Sequence, residues 1–223
     1  MKFAILGGSF NPLHIGHAML AETIVTELKY DKVLFVPTGI PPHKELQSGA
    51  NTEQRLEMVK KFCESYPKDC FMYEDCEITR GGVSYTYDTV KYIIEKYKHE
   101  IEGKPALLMG EEIAAEFHKW KNPDEIAKMV DIIIVPRYPD YYGFFADNAK
   151  NRPVGHFNGD FNTKFDKQTF KYPCKLLDIP MVPVSSTDIR ARIASGKSFR
   201  YLVPPAIYDY IVNNVLYDYI SDI

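Results

Sequence analysis

The stretch KFAILGGSFNPLHIGH, Lys2 to His17, decides how the chain reads. It opens as a short apolar run that turns at Gly7-Gly8. From Ile15 onward, Ile15, Met19, Ile24, Val25 and Leu28 suit one helical face. Strand, loop, helix is the implied order. A strand that passes through a glycine turn into a helix offers unpaired backbone N–H groups and the positive end of a helix dipole, both suited to phosphate. Gly7, Gly8, Ser9 and Phe10 are therefore candidate phosphate-approach residues. The loop lacks the further glycines of G-x-G-x-x-G and the Gly-Lys-Ser/Thr ending of a Walker loop. His14 and His17 lie three apart, so at a helix start their side chains share a face and can reach one anion. Singly, each would read as a cap or an interior histidine; as a pair in this loop they favour an anion site. A zinc site is the weaker reading, because H-x-x-H here lacks the Glu of H-E-x-x-H and a nearby third ligand.

The pattern repeats downstream. KVLFVP (32–37), a strand within CFMYEDCEI (70–78), PALLMG (105–110) and DIIIVP (131–136) are apolar runs of strand length. Between them lie helical stretches at 52–66, 86–100, 111–120 and 123–130. Thr52 is the expected N-cap of the first of these, at capping-box distance from Arg55 but without the Glu or Gln. Uniformly apolar strands alternating with helices predict an α/β, Rossmann-like parallel sheet covered on both faces. The pattern stops from Tyr138 to Lys175, a long inserted loop in which Asn158-Gly159 suits a hairpin turn. Order returns at 175–184, followed by a capped helix, SSTDIRARIASG, ending at Gly196, and a helix over 204–220 with Pro at its start. The last two form a small helical C-terminal part. One domain over 1–223 is expected.

The chain has 223 residues, a formal net charge of −3 and a pI near 6.1, enough for one core. The acidic balance argues against a nucleic-acid partner, and no apolar run approaches the roughly 18 residues of a membrane span. With no secretory leader pattern, a cytoplasmic location is expected. Cys63, Cys70, Cys76 and Cys174 form no C-x-x-C pair and read as reduced structural thiols.

Six motifs together resemble bacterial-type nicotinate-nucleotide adenylyltransferases, within the nucleotidyltransferase superfamily of H-x-G-H type. They are GGSFNPLHIGH, VPTGIPPHK (36–44), SYTYDTV (84–90), the interval Gly110 to Trp120, and VSSTDIRARI (184–193) with SFRYLVPPAIYDYI (198–211). They occur in the family's order over nearly the whole chain. The related HIGH box of class I aminoacyl-tRNA synthetases is set aside, because SSTDIR stands where a KMSKS loop would be needed. The resemblance implies adenylyl transfer from ATP, with Mg2+, to nicotinic acid mononucleotide, giving nicotinic acid adenine dinucleotide and pyrophosphate. It implies that His14, His17 and Arg190 act on phosphates. Gly7, Gly8, Ser9, Phe10, Gly110, Glu112, Ser186 and Thr187 would hold ATP, with the last two supplying hydroxyl and N-cap N–H groups. Lys44, Tyr85, Thr86 and Trp120 would hold the nicotinate nucleotide, Trp120 by stacking. Glu112 departs from the family, standing at a usual aspartate position. Another small-molecule nucleotidyltransferase, using nicotinamide mononucleotide or phosphopantetheine, and a catalytically silent nucleotide-binding module are the alternatives. Homo-oligomerisation is left open, with the 138–175 segment a lid, a subunit contact or surface decoration.

Overall fold

The computed structural model describes residues 1–40, 49–136, 165–179, 182 and 184–220. Lys44, the Asn158-Gly159 turn and most of the 138–175 insertion lie outside the described residues. Six strands, β1 (Phe3–Gly8), β2 (Lys32–Pro37), β3 (Phe71–Tyr73), β4 (Ala106–Gly110), β5 (Asp131–Val135) and β6 (Cys174–Leu176), make one sheet in the order β3-β2-β1-β4-β5-β6. Every pairing is parallel. The helices are α1 (Ile15–Thr26), α2 (Thr52–Ser65), α3 (Cys76–Arg80), α4 (Thr86–Lys96), α5 (Glu111–Ala115), α6 (Pro123–Met129), α7 (Ser186–Ala194) and α8 (Pro205–Asn213).

Alternate strand residues feed two apolar layers, which is why the central strands are apolar throughout. Ala4, Leu6, Val33 and Phe35 pack with Ile24, Met58, Ile189 and Ile207, so α1, α2, α7 and α8 cover one face. Phe3, Ile5, Leu34 and Val36 pack with Val90, Ile93, Phe117 and Ile126, so α4 and α6 cover the other. The expected Rossmann-like α/β architecture is the observed one.

Several local expectations need correction. β1 does not turn at Gly7-Gly8; both glycines pair in register with Val36 and Pro37. The chain bends at Phe10, whose φ is +46°. Gly8 serves that bend by close approach, since a Cβ there would lie 3.0 Å from Phe10 Cε1. In α1 the buried face is Leu20, Ala21, Thr23 and Ile24, while Ile15 and Met19 are half-buried and Leu28 lies past the helix end. The first turn of α1 is only half-buried. Asn51, not Thr52, caps α2, because its side chain accepts the Gln54 N–H at 2.8 Å while Gln54 accepts the Asn51 N–H at 2.9 Å. The expected order at 175–184 is a short edge strand, Cys174–Leu176. The C-terminal helix ends at Asn213; Val215 and Tyr217 take left-handed backbone values in and before a 3-10 turn, Leu216–Asp218. That break turns the Tyr217 ring into the core. No helical signal announced α3, a single short helix.

Candidate active site

Strand order reverses at β1: β2 and β3 continue on one side, β4 to β6 on the other. In an open parallel sheet, a crevice forms outside the carboxyl ends of the strands at such a point. Gly8 and Gly110 end β1 and β4 there.

The loop after β1 is fastened from several elements. Arg55 on α2, 1% exposed, donates Nη1–H to the Ser9 carbonyl at 2.9 Å. Arg190 on α7 donates Nη1–H to the Asn11 carbonyl at 2.7 Å and Nη2–H to Thr187 Oγ1 at 3.2 Å. Burial lowers the pKa of both guanidinium groups, which nonetheless stay charged at neutral pH. Ser186 Oγ donates to the Pro12 carbonyl at 2.9 Å. The Asn11 side-chain oxygen accepts the Ala50 N–H at 3.3 Å and the Tyr217 hydroxyl at 2.9 Å. Burial raises the pKa of Tyr217, keeping its phenol protonated as that donor. Two cations thus underlie a loop at which α1 and α7 both begin, a setting that favours an anion.

His14 is the N-cap of α1. Its ring lies 3.8 Å, centre to centre, from that of His17, which also meets Phe10 edge-on at 5.1 Å. The backbone N–H of His14 donates to His17 Nδ1 at 3.2 Å. That bond occupies Nδ1 as an acceptor and leaves Nε2 as the donor of a neutral His17. The two histidines therefore share a face, as their spacing predicts.

The ATP-side candidates are brought together only in part. Gly7, Gly8, Ser9, Phe10, His14, His17, Ser186, Thr187 and Arg190 all belong to the loop and its supports. Capping of α7 falls to Ser185, whose hydroxyl accepts the Asp188 N–H at 3.1 Å, rather than to Ser186 or Thr187. Ser186 faces the loop backbone instead, and Thr187 supports Arg190. Gly110 is the N-cap of α5, with Glu112 in its first turn at the end of β4.

A second group forms where α4 starts. Tyr85 is its N-cap and Thr86 its first residue. Trp120 follows a 3-10 turn (Phe117–Lys119), half-buried, with its ring 5.1 Å from that of Phe117. Lys121 joins the two: its ammonium lies 4.8 Å from the Tyr85 ring centre and 2.8 Å from Asp88 Oδ2. Sequence reasoning missed Asn11, Arg55, Lys121 and Tyr217. Arg55 had a signal, a charged residue on the buried side of an otherwise apolar helical stripe. Tyr217 had none, because its role depends on the break after α8.

Among the described residues, no three His, Cys, Asp or Glu side chains cluster as metal ligands, and no helix is long and apolar enough to cross a membrane.

The cytidylyltransferase-like family matches residues 5–192. A Treponema pallidum protein named "Probable nicotinate-nucleotide adenylyltransferase" is 36% identical over 219 residues, 97% of this chain and 99% of its own length. A Dictyoglomus thermophilum protein of the same name is 36% identical over 217 residues, 97% of this chain and 100% of its own. Among solved structures, Plasmodium falciparum nicotinic acid mononucleotide adenylyltransferase complexed with NaAD superposes with a TM-score of 0.70 over 99% of both chains. Its 20% identity speaks for a shared fold. Sequence and architecture agree, and the chain belongs to the nicotinate-nucleotide adenylyltransferases of the cytidylyltransferase-like family.

Proposed function

We propose that the chain, acting as one catalytic unit, transfers the adenylyl group of ATP to the 5'-phosphate of nicotinic acid mononucleotide, releasing pyrophosphate. The carrying observation is the convergence of the His14–His17 pair and Arg190 on one loop at the strand-order reversal. An acceptor phosphate oxygen attacks the α-phosphorus, and the bond to the β-phosphate breaks with its electron pair leaving on pyrophosphate. Phosphate monoesters have a second pKa near 6, so no protein base is required. Alignment and charge neutralisation then carry the rate. His17 Nε2–H and His14 meet the phosphates, and Arg190 adds a fixed cation beside them. Ser186 and Thr187 hold that cation and the loop in place. Glu112, on a longer arm than aspartate, faces the nucleotide sugar from the first turn of α5.

Among the described residues the site offers cations and hydroxyls rather than a carboxylate cage, so Mg2+ would enter as a companion of ATP, keeping water and phosphate ligands. Bound with the triphosphate, it neutralises negative charge. On the acceptor side, Trp120 stacks on the pyridine ring, while Tyr85, Thr86 and Lys44 present donors to the nicotinate nucleotide. The four free thiols suit a reducing cytoplasm. The test is incubation of purified protein with ATP, Mg2+ and, separately, nicotinate mononucleotide, nicotinamide mononucleotide or phosphopantetheine, with identification of products. Dinucleotide and pyrophosphate formed from the nicotinate substrate are expected; no turnover with it would overturn the reading.

A further inference from the structure

Glu77 on α3 is buried, yet it is not spent on an ion pair with a neighbouring lysine or arginine among the described residues. Its carboxylate instead joins two chain segments. Oε2 accepts the Gly39 N–H at 3.3 Å, and Oε1 accepts the Thr89 hydroxyl of α4 at 2.8 Å. Its backbone carbonyl accepts the Ser84 hydroxyl at 3.3 Å. The same two segments also meet directly: Ser84 N–H donates to the Ile40 carbonyl at 2.9 Å, and Ile40 bridges Val83 in parallel. Gly39 is what allows the approach, since a Cβ there would stand 2.5 Å from the Glu77 carbonyl oxygen.

The joined segments have distinct destinations. The first leaves β2, is tied to the end of β1 by the Thr38 N–H donating to the Gly8 carbonyl at 2.9 Å, and continues toward Lys44. The second leads within two residues to Tyr85 and Thr86 at the start of α4. A carboxylate has acceptor sites only, so it can hold donors from both sides at once; an apolar residue here would leave buried N–H and O–H groups unmet.

We infer that Glu77 is a positioning residue for the acceptor nucleotide, fixing the spacing between the Gly39–Ile40 segment and the start of α4. This rests on the nicotinate-binding reading of Tyr85 and Thr86 given above. Glu77 touches neither substrate; it acts through the walls between which the acceptor is held, while the ATP loop, joined to the first wall by the Thr38–Gly8 backbone bond, is held in place by Arg55 and Arg190.

Steady-state kinetics of the full chain, with each substrate varied at saturation of the other, test this. Glu77→Ala is expected to raise KM for nicotinate mononucleotide about tenfold, with KM for ATP within about twofold, and Glu77→Gln, which keeps an acceptor and the shape, to recover most of the loss. Should Glu77→Ala not fold, Thr89→Val removes one donor and keeps the volume, and is expected to raise the same KM about threefold. Unchanged acceptor KM in a folded variant, or both KM values rising together, overturns the inference. Wild-type turnover of nicotinate mononucleotide is measured first, so that failure of the activity itself is separated from failure of the positioning role.

Discussion

Arg55 Nη1 lies 2.9 Å from the Ser9 carbonyl oxygen, joining α2 to the first loop across 46 positions of sequence. The guanidinium is buried, so this bond sets the loop with little competition from water. Arg55→Met keeps the apolar stem and removes the donor. It is expected to destabilise the fold by about 1–3 kcal/mol, the scale of a buried bond to a charged group, and to raise KM for ATP more than KM for the acceptor. Urea unfolding and two-substrate kinetics check it; equal effects on both substrates would place Arg55 outside the ATP loop's support.

The His14–His17 geometry separates two roles of one ring. Nδ1 of His17 accepts from the backbone, and Nε2 is the atom proposed to meet the phosphates. His17→Asn places an amide oxygen near the Nδ1 position and no donor near Nε2, whereas His17→Gln reaches the Nε2 position. His17→Ala and His17→Asn are expected to lower kcat about 100-fold or more with thermal midpoints little changed, and His17→Gln less. Near-wild-type turnover by His17→Asn would remove the phosphate role.

Trp120 is the only tryptophan of the chain, so its fluorescence reports on one place. Titration with nicotinate mononucleotide is expected to quench or shift the emission, while adenosine alone leaves it unchanged. Trp120→Ala is expected to raise the acceptor KM about tenfold, from a stacking contribution of ~1–3 kcal/mol. Emission that ignores the acceptor would sink the stacking assignment.

Alkaline stability follows from three groups whose ordinary forms are protonated in the fold. Burial pushes the Cys63 and Cys76 thiols up to about 12, and burial reinforced by the Glu74 carboxylate pushes the Tyr97 phenol up to about 12. The unfolded chain loses these protons earlier, near 9 for the thiols and near 10 for the phenol. Raised pKa values of this kind stabilise the fold fully below the unfolded values and less as pH climbs toward the folded ones. Unfolding free energy should fall from about pH 9 to about pH 12, by up to ~1.4 kcal/mol per pH unit per group. Cys63→Ala with Cys76→Ala should flatten that slope, whatever their effect on stability at neutral pH. An unchanged slope in urea titrations across this range would show that the thiols do not contribute.

Much of the layout was legible because burial on both sheet faces writes itself as runs such as Ile132–Val135 and Val33–Val36, which no other local arrangement favours at that length. The His14–His17 spacing likewise carries its geometry in the chain, since a helix start maps an interval of three onto one face. What escaped was set by tertiary contact. Nothing near Gly8 says that the strand continues through it, because the reason is the Phe10 ring folding back over it. Arg55 and Glu77 take their roles from elements that close around them from elsewhere in the chain, and Tyr217 reads in sequence as the tail of a helix. The capping of α2 was legible and misread by one residue, with Asn51 and Gln54 both in plain sequence.

The Tyr217 hydroxyl closes on Asn11 over a separation of 206 residues. During synthesis, at roughly 5–20 residues per second, the loop around Asn11 exists for about 10–40 s before its last partner is even made. All six strands precede Tyr217 in the chain, so the sheet can pair before that hydroxyl reaches Asn11.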